Sequence, residues 1–172
     1  MTIRNIKNDK QHPFRIMGLD PGTAITGWGI IAVEQKEPKL EAYGCIKTCK
    51  TKCTADRLKE IAANLQKLIK TYKPDEIAIE EIFFFKNLKT AIKVAQARGV
   101  LLYISGQTCI PIGEYTPLQV KQALTGYGKA EKQQVQYMVR SILKLSSIPK
   151  PDDAADALAV AICHQQSRSY PQ

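Results

Sequence analysis

Between residues 15 and 46 the chain runs in short β-prone stretches broken by turn formers. Arg15 to Asp20, Thr26 to Glu34 and Lys39 to Ile46 are separated by Pro21-Gly22 and by Lys36 to Pro38, a spacing that predicts a three-stranded antiparallel meander. The period then changes. From Thr54 onward Leu58, Ile61, Ala62, Leu65, Leu68, Ile69 and Tyr72 recur at helical steps, with Lys59, Gln66, Lys67 and Lys70 between them. Thr54 or Asp56 is placed to cap this helix, and Lys73-Pro74-Asp75 closes it. A strand follows at Glu76 to Glu81, then a helix from Asn87 to Ser105 and a strand from Cys109 to Tyr115. Thr116 and Pro117 read as N-cap and first residue of another helix. Gly126 and Gly128 break that pattern before a helix at Ala130 to Lys144, and Pro149 to Asp152 introduces a last one ending near Ser167.

Three antiparallel strands, then strands alternating with helices, then a run of helices define an α/β chain. The expected fold is a mixed five-stranded sheet with helices on both faces. At 172 residues the length suits one domain, taken as residues 15–168 behind a flexible basic tail at residues 1–14. No apolar run approaches the ~20 residues of a membrane span.

Charge adds a partner to this picture. Lysine and arginine number 25 against 16 acids, a net charge of +9, which points to a polyanion such as nucleic acid. The excess is concentrated: from 121 to 150 Lys121, Lys129, Lys132, Arg140, Lys144 and Lys150 face the single acid Glu131. The five cysteines fit a reduced, cytoplasmic setting. Cys45, Cys49 and Cys53 are spaced to offer three thiolates, yet no fourth Cys or His lies near them, so ordinary cysteines are expected.

Against this basic background three acidic motifs stand out. Asp20 ends the apolar run Ile16-Met17-Gly18-Leu19, where an unneutralised carboxylate is costly. Glu80 and Glu81 follow another apolar strand, and alternation allows only one of them to share a face with Asp20. Asp153 and Asp156, at i and i+3, project from one face of a helical turn, and Asp152 and Asp156 fit nearly as well. Asp152 also suits the helix N-cap. Oxygen ligands from distant segments, in a basic chain, describe a divalent-cation site working on a polyanion.

The segments DPGTAITGWGI, AIEEIFFFKN, QARGV, GEYTPLQVKQALTGYGKAEKQQVQYMVRSILKL and DDAADALAVAICH resemble the RuvC-type Holliday junction resolvases over about Arg15 to His164. The resemblance implies a ribonuclease H-like fold and a homodimer that resolves four-way DNA junctions by paired nicking, leaving 5′ phosphate and 3′ hydroxyl ends. It assigns catalysis and metal binding to Asp20, Glu80, Asp153 and Asp156, with two Mg²⁺ or Mn²⁺ ions per site, and leaves Asp152 as a helix cap. It further implies DNA contacts at Phe83, which would stack on a base, and at Lys86, Lys121, Tyr127, Lys129 and Lys132. A subunit interface is implied around Gln96 to Val100, and a branch-migration complex of RuvA and RuvB type as partner. The Asp-x-Gly-Thr motif at Asp20 also resembles the phosphate loop of actin-like ATPases, but those need a second lobe for which the chain has no room.

Overall fold

In the computed structural model, residues 13–82 and 88–168 are described. Five strands form one sheet: β1 (Phe14–Asp20), β2 (Ile25–Glu34), β3 (Glu37–Lys47), β4 (Glu76–Glu80) and β5 (Ile112–Tyr115), in the spatial order β3-β2-β1-β4-β5. The first three pair antiparallel, and β4 and β5 add in parallel beyond β1. The expected meander and mixed sheet are both present, and β1 is central.

Alternation along the strands builds two cores. On one face Met17, Leu19, Ile77 and Ile79 meet Ile61 and Leu65 of α1 (Thr54–Tyr72) and Leu101 of α2 (Leu88–Gly106). On the other, Ile16, Ile31 and Ala78 meet Leu158 and Ile162 of α5 (Asp152–Ser167), over which lie α3 (Pro117–Thr125) and α4 (Lys132–Ile142). Helix α5 is buried from Ala157 to Gln165, and its alanines let it lie almost on the sheet. The fit is tightest over two glycines. A Cβ on Gly18 would stand 2.0 Å from the Ala157 carbonyl oxygen, and one on Gly27 1.9 Å from that of Asp153.

Several boundaries differ from the sequence expectation, each for a local reason. Helix α1 is capped by extended Cys53 rather than by Thr54 or Asp56, and Asp56 instead receives the Cys53 thiol at 3.2 Å. Strand β5 starts three residues later than Cys109, because Cys109 has φ 56° and Pro111 has no N–H for a ladder, although its carbonyl accepts from Ile77 at 2.9 Å. Helix α4 is shorter than Ala130 to Lys144, since Lys144 turns to φ 54°. Thr116 does cap α3, with Pro117 next and a reciprocal bond between Thr116 and Gln119. Asp152 is not the cap of α5. Pro151 takes that position, and Asp152, the first helical residue, pairs with Lys150 at 2.7 Å.

Candidate active site

Register decides which acids meet. Leu19 pairs with Ile79 across β1 and β4, so Asp20 and Glu80 end neighbouring parallel strands side by side. Both carry the parity of Gly18 and Ala78, the residues facing α5, whereas Glu81 has the opposite parity and spends its N–H on Tyr115 at 2.7 Å. Of these two glutamates, Glu80 is the one that shares the face of Asp20. Helix α5 crosses this corner with its first turn, bringing Asp153 and Asp156 into the field of Asp20.

The loop after Asp20 is held by two threonines. Thr26 Oγ1 donates to the Gly22 carbonyl at 2.6 Å, and Thr48 Oγ1 to that of Thr23 at 2.6 Å. Arg57 Nε in turn donates to Thr48 Oγ1 at 2.8 Å. Arg98 of α2 donates to the Glu80 carbonyl at 3.3 Å and pairs with Glu114 of β5, fixing the end of β4 without adding unbalanced charge. These supports were not foreseen from sequence, where Arg98 had no partner to suggest such a use.

The carboxylates strain one another electrostatically. Burial, then Glu80, Asp156 and Asp153, push the Asp20 carboxyl well above its ordinary range. Glu80 is raised to about 7, first by burial and then by Asp156, while its hydrogen bond with Asp20 and the ammonium groups of Lys132 and Lys121 oppose the rise. Two buried carboxyls this close resist being ionised together, so the metal-free pair favours keeping a proton between them. Asp156 is raised by burial and held back by Lys132, whose ammonium lies 2.6 Å from its Oδ2.

A pH dependence follows with a definite sign. Glu80 binds its proton more tightly folded than unfolded, so the folded state holds more protons between the ordinary 4.5 and about 7. Stability of the metal-free protein should therefore fall as pH rises through that window, by on the order of 3 kcal/mol, and stay low above it. Thermal denaturation in chelator across this range checks it, and a rise in stability there would refute it.

Lys121 and Lys132 line a cleft of about 250 Å³ together with Glu80 and Asp156, so two of the expected DNA-contact residues stand at the acids. Tyr127 and Lys129 do not; both are exposed on the α3–α4 connection, Tyr127 beside a neighbouring groove. Phe83 and Lys86, and the tail at residues 1–12, lie outside the described residues. Cys45 sits near Asp153 and Asp20, its thiol raised first by burial and then by Asp153, while Cys49 bonds Thr51.

The donor set fits a hard divalent cation: four carboxylates gathered at one corner, with Asp20 and Glu80 raised by burial and by repulsion from neighbouring acids and Asp156 steadied by Lys132. Among the described residues no three such side chains already form a closed cation cage. A divalent cation held here would be bound by carboxylates that the fold already gathers at one corner.

A family model described as crossover junction endodeoxyribonuclease RuvC matches residues 16–164. The chain belongs to the RuvC family of crossover junction endodeoxyribonucleases. It is 55% identical to the enzyme of that name from Desulforamulus reducens, over 88% of this chain and 93% of the relative. The same identity holds for that of Syntrophomonas wolfei, over 89% of each. The Thermus thermophilus RuvC structure superposes with TM-score 0.83 at 36% identity, covering 89% of this chain and 94% of the other. T. thermophilus RuvC in complex with a Holliday junction substrate gives TM-score 0.82, covering 88% and 92%. The ribonuclease H-like fold of RuvC is thus established for this chain, and with it a metal-dependent nuclease activity on crossover junctions.

Proposed function

We propose that this RuvC-family chain resolves four-way DNA junctions by two symmetric nicks, with Asp20, Glu80, Asp153 and Asp156 as its catalytic, metal-holding acids. The observation that carries the assignment is the register of β1 and β4, which sets Asp20 and Glu80 side by side under the first turn of α5. Residues 15–168 act as one nuclease unit. Two divalent cations, Mg²⁺ or Mn²⁺, supply charge neutralisation at the phosphodiester and a deprotonated water for in-line attack.

The protein's own groups prepare that chemistry. Asp20, flanked by the other three acids, would be the central cation ligand, with Glu80 and the Asp153/Asp156 pair completing the set. Lys121 and Lys132 bind the phosphate oxygens beside the scissile bond, and Lys132, paired with Asp156 in this structure, would be freed for this if Asp156 held a cation. Tyr127 and Lys129 hold DNA outside the cleft, and Phe83 and Lys86 contact the opened crossover. The products are a 5′ phosphate and a 3′ hydroxyl.

Two symmetric nicks require two sites, hence a homodimer. Helix α2 supplies a suitable face, with Ile92 51% and Tyr103 65% exposed and Gly99 open between them. The protein works in the cytoplasm, with a branch-migration complex of RuvA and RuvB type delivering the junction. No helix among the described residues is long and apolar enough to cross a membrane.

The test is metal-dependent, paired nicking of a synthetic four-way junction beside a linear duplex of the same sequence. Cutting both substrates equally would sink the reading. Lys132→Ala should bind junctions with a salt slope smaller by about 0.9, the loss of one phosphate contact. An unchanged slope would remove Lys132 from the DNA interface.

A further inference from the structure

Helix α4 turns an unpartnered face to solvent. Val135, Gln136 and Val139 point into the protein, and the opposite stripe is formed by Gln133, Tyr137, Arg140 and Ser141, with Lys144 just past the helix end, all exposed. Tyr137 is 58% exposed and Tyr127, just before the helix, 60%. Between these tyrosines runs a shallow groove of about 450 Å³, floored by Ala130 and edged by Gln133 and Gln134. A second, of about 130 Å³, shares Tyr137 and continues between Arg140 and Lys144. Neither lining contains an acid. Lys144 reaches Glu37 at 3.1 Å, but both side chains are more than two-thirds exposed, so the pair contributes little and yields easily.

We propose that this outer stripe, from Tyr127 to Lys144, is a second DNA surface that grips the sugar-phosphate backbone of a duplex arm leaving the crossover. The proposal rests on the active-site reading, because continuity with the catalytic cleft gives the arm its course: Lys132 is both a cleft residue and the first residue of α4. The donors present are those a phosphate backbone takes, namely tyrosine hydroxyls, glutamine amides, a lysine and an arginine, with no acid in the lining of either groove. Shallow, continuous grooves suit a rounded ridge rather than an inserted side chain. The helix spans 11 residues. At 1.5 Å per residue that is about 16 Å, or roughly five base-pair rises of 3.4 Å. The surface therefore engages DNA well past the phosphates next to the scissile bond.

The experiment compares two junctions, one with arms several helical turns long and one whose arms end before the far end of α4. The intact protein and the variant Tyr137→Ser/Arg140→Gln/Lys144→Gln are measured on both, by binding across a salt series and by cleavage. On long arms the variant should bind on the order of tenfold more weakly with a salt slope smaller by about 2, while binding and cleavage of the short-armed junction stay at the parent level. Lys144→Glu alone, at an exposed position, should reproduce the arm-length dependence should the triple variant fold poorly. Equal losses on both junctions, or no loss on long arms, would overturn the proposal. So would single-stranded DNA competing for the surface as well as duplex does. An intact protein that prefers long arms but cuts neither junction would sink the active-site reading and leave this surface standing.

Discussion

Asp20→Asn should cut junctions at least about a thousandfold more slowly than the parent, yet melt at the same temperature or higher when divalent metal is withheld. The two halves of this result come from one cause. Burial and three neighbouring acids already push the Asp20 carboxyl toward its protonated form, so its ionised form is a burden to the metal-free fold. An amide of the same shape keeps a donor for Glu80 and removes the charge. What it would lack is the charged oxygen pair with which a carboxylate holds a divalent cation. Parent protein should gain melting temperature as Mn²⁺ is added, and the variant should gain much less, a readout independent of cleavage. A variant that melts well below the parent in chelator would show that Asp20 is a structural residue.

The second large effect is expected at Gly18 and Gly27, far from any ligand chemistry of their own. A Cβ at Gly18 would meet the Ala157 carbonyl at 2.0 Å and the Ala161 nitrogen at 2.8 Å. These are backbone atoms of a helix buried between the sheet and α3 and α4, which has nowhere to retreat. Gly18→Ala should cost about 3 kcal/mol, lowering the melting temperature by roughly 10 °C. Gly27→Ala presses on the Asp153 carbonyl at 1.9 Å and should depress cleavage along with stability, because the displaced turn is the one that presents the last two acids. Gly106→Ala is the control: nothing lies within 4 Å of its added carbon, and stability should hold or rise slightly. Equal melting temperatures for Gly18→Ala and parent would refute the close approach of α5.

How far the sequence reaches can be judged at these same residues. The strand and helix periods are legible because each element buries one face, and Asp20, Asp153 and Asp156 stand out because acids at the ends of apolar runs need a reason. Glu80 against Glu81 was not decidable from alternation alone, since the answer depends on which residues of β1 lie opposite. Once Leu19 is paired with Ile79 the parity is settled. Asp152 has the ideal composition for a cap but loses that position to Pro151, and its charge goes to Lys150 instead. Proline at 111 and the left-handed Cys109 shortened β5 for the same kind of local reason. Arg98 is the clearest case of what pattern cannot show. Its two partners, the Glu80 carbonyl and the Glu114 carboxylate, lie on strands that come together only when the sheet is complete.

The acids are drawn from β1, β4 and α5, the first strand and the last helix of the described residues among them. A ribosome making this chain has exposed Asp20 and Glu80 long before Asp153 and Asp156 emerge. Until α5 lies down over Gly18 and Gly27, there is no cluster of carboxylates to gather cations. With these four acids as the cation ligands, the site would be complete only once α5 has docked, and lifting that one helix would take it apart.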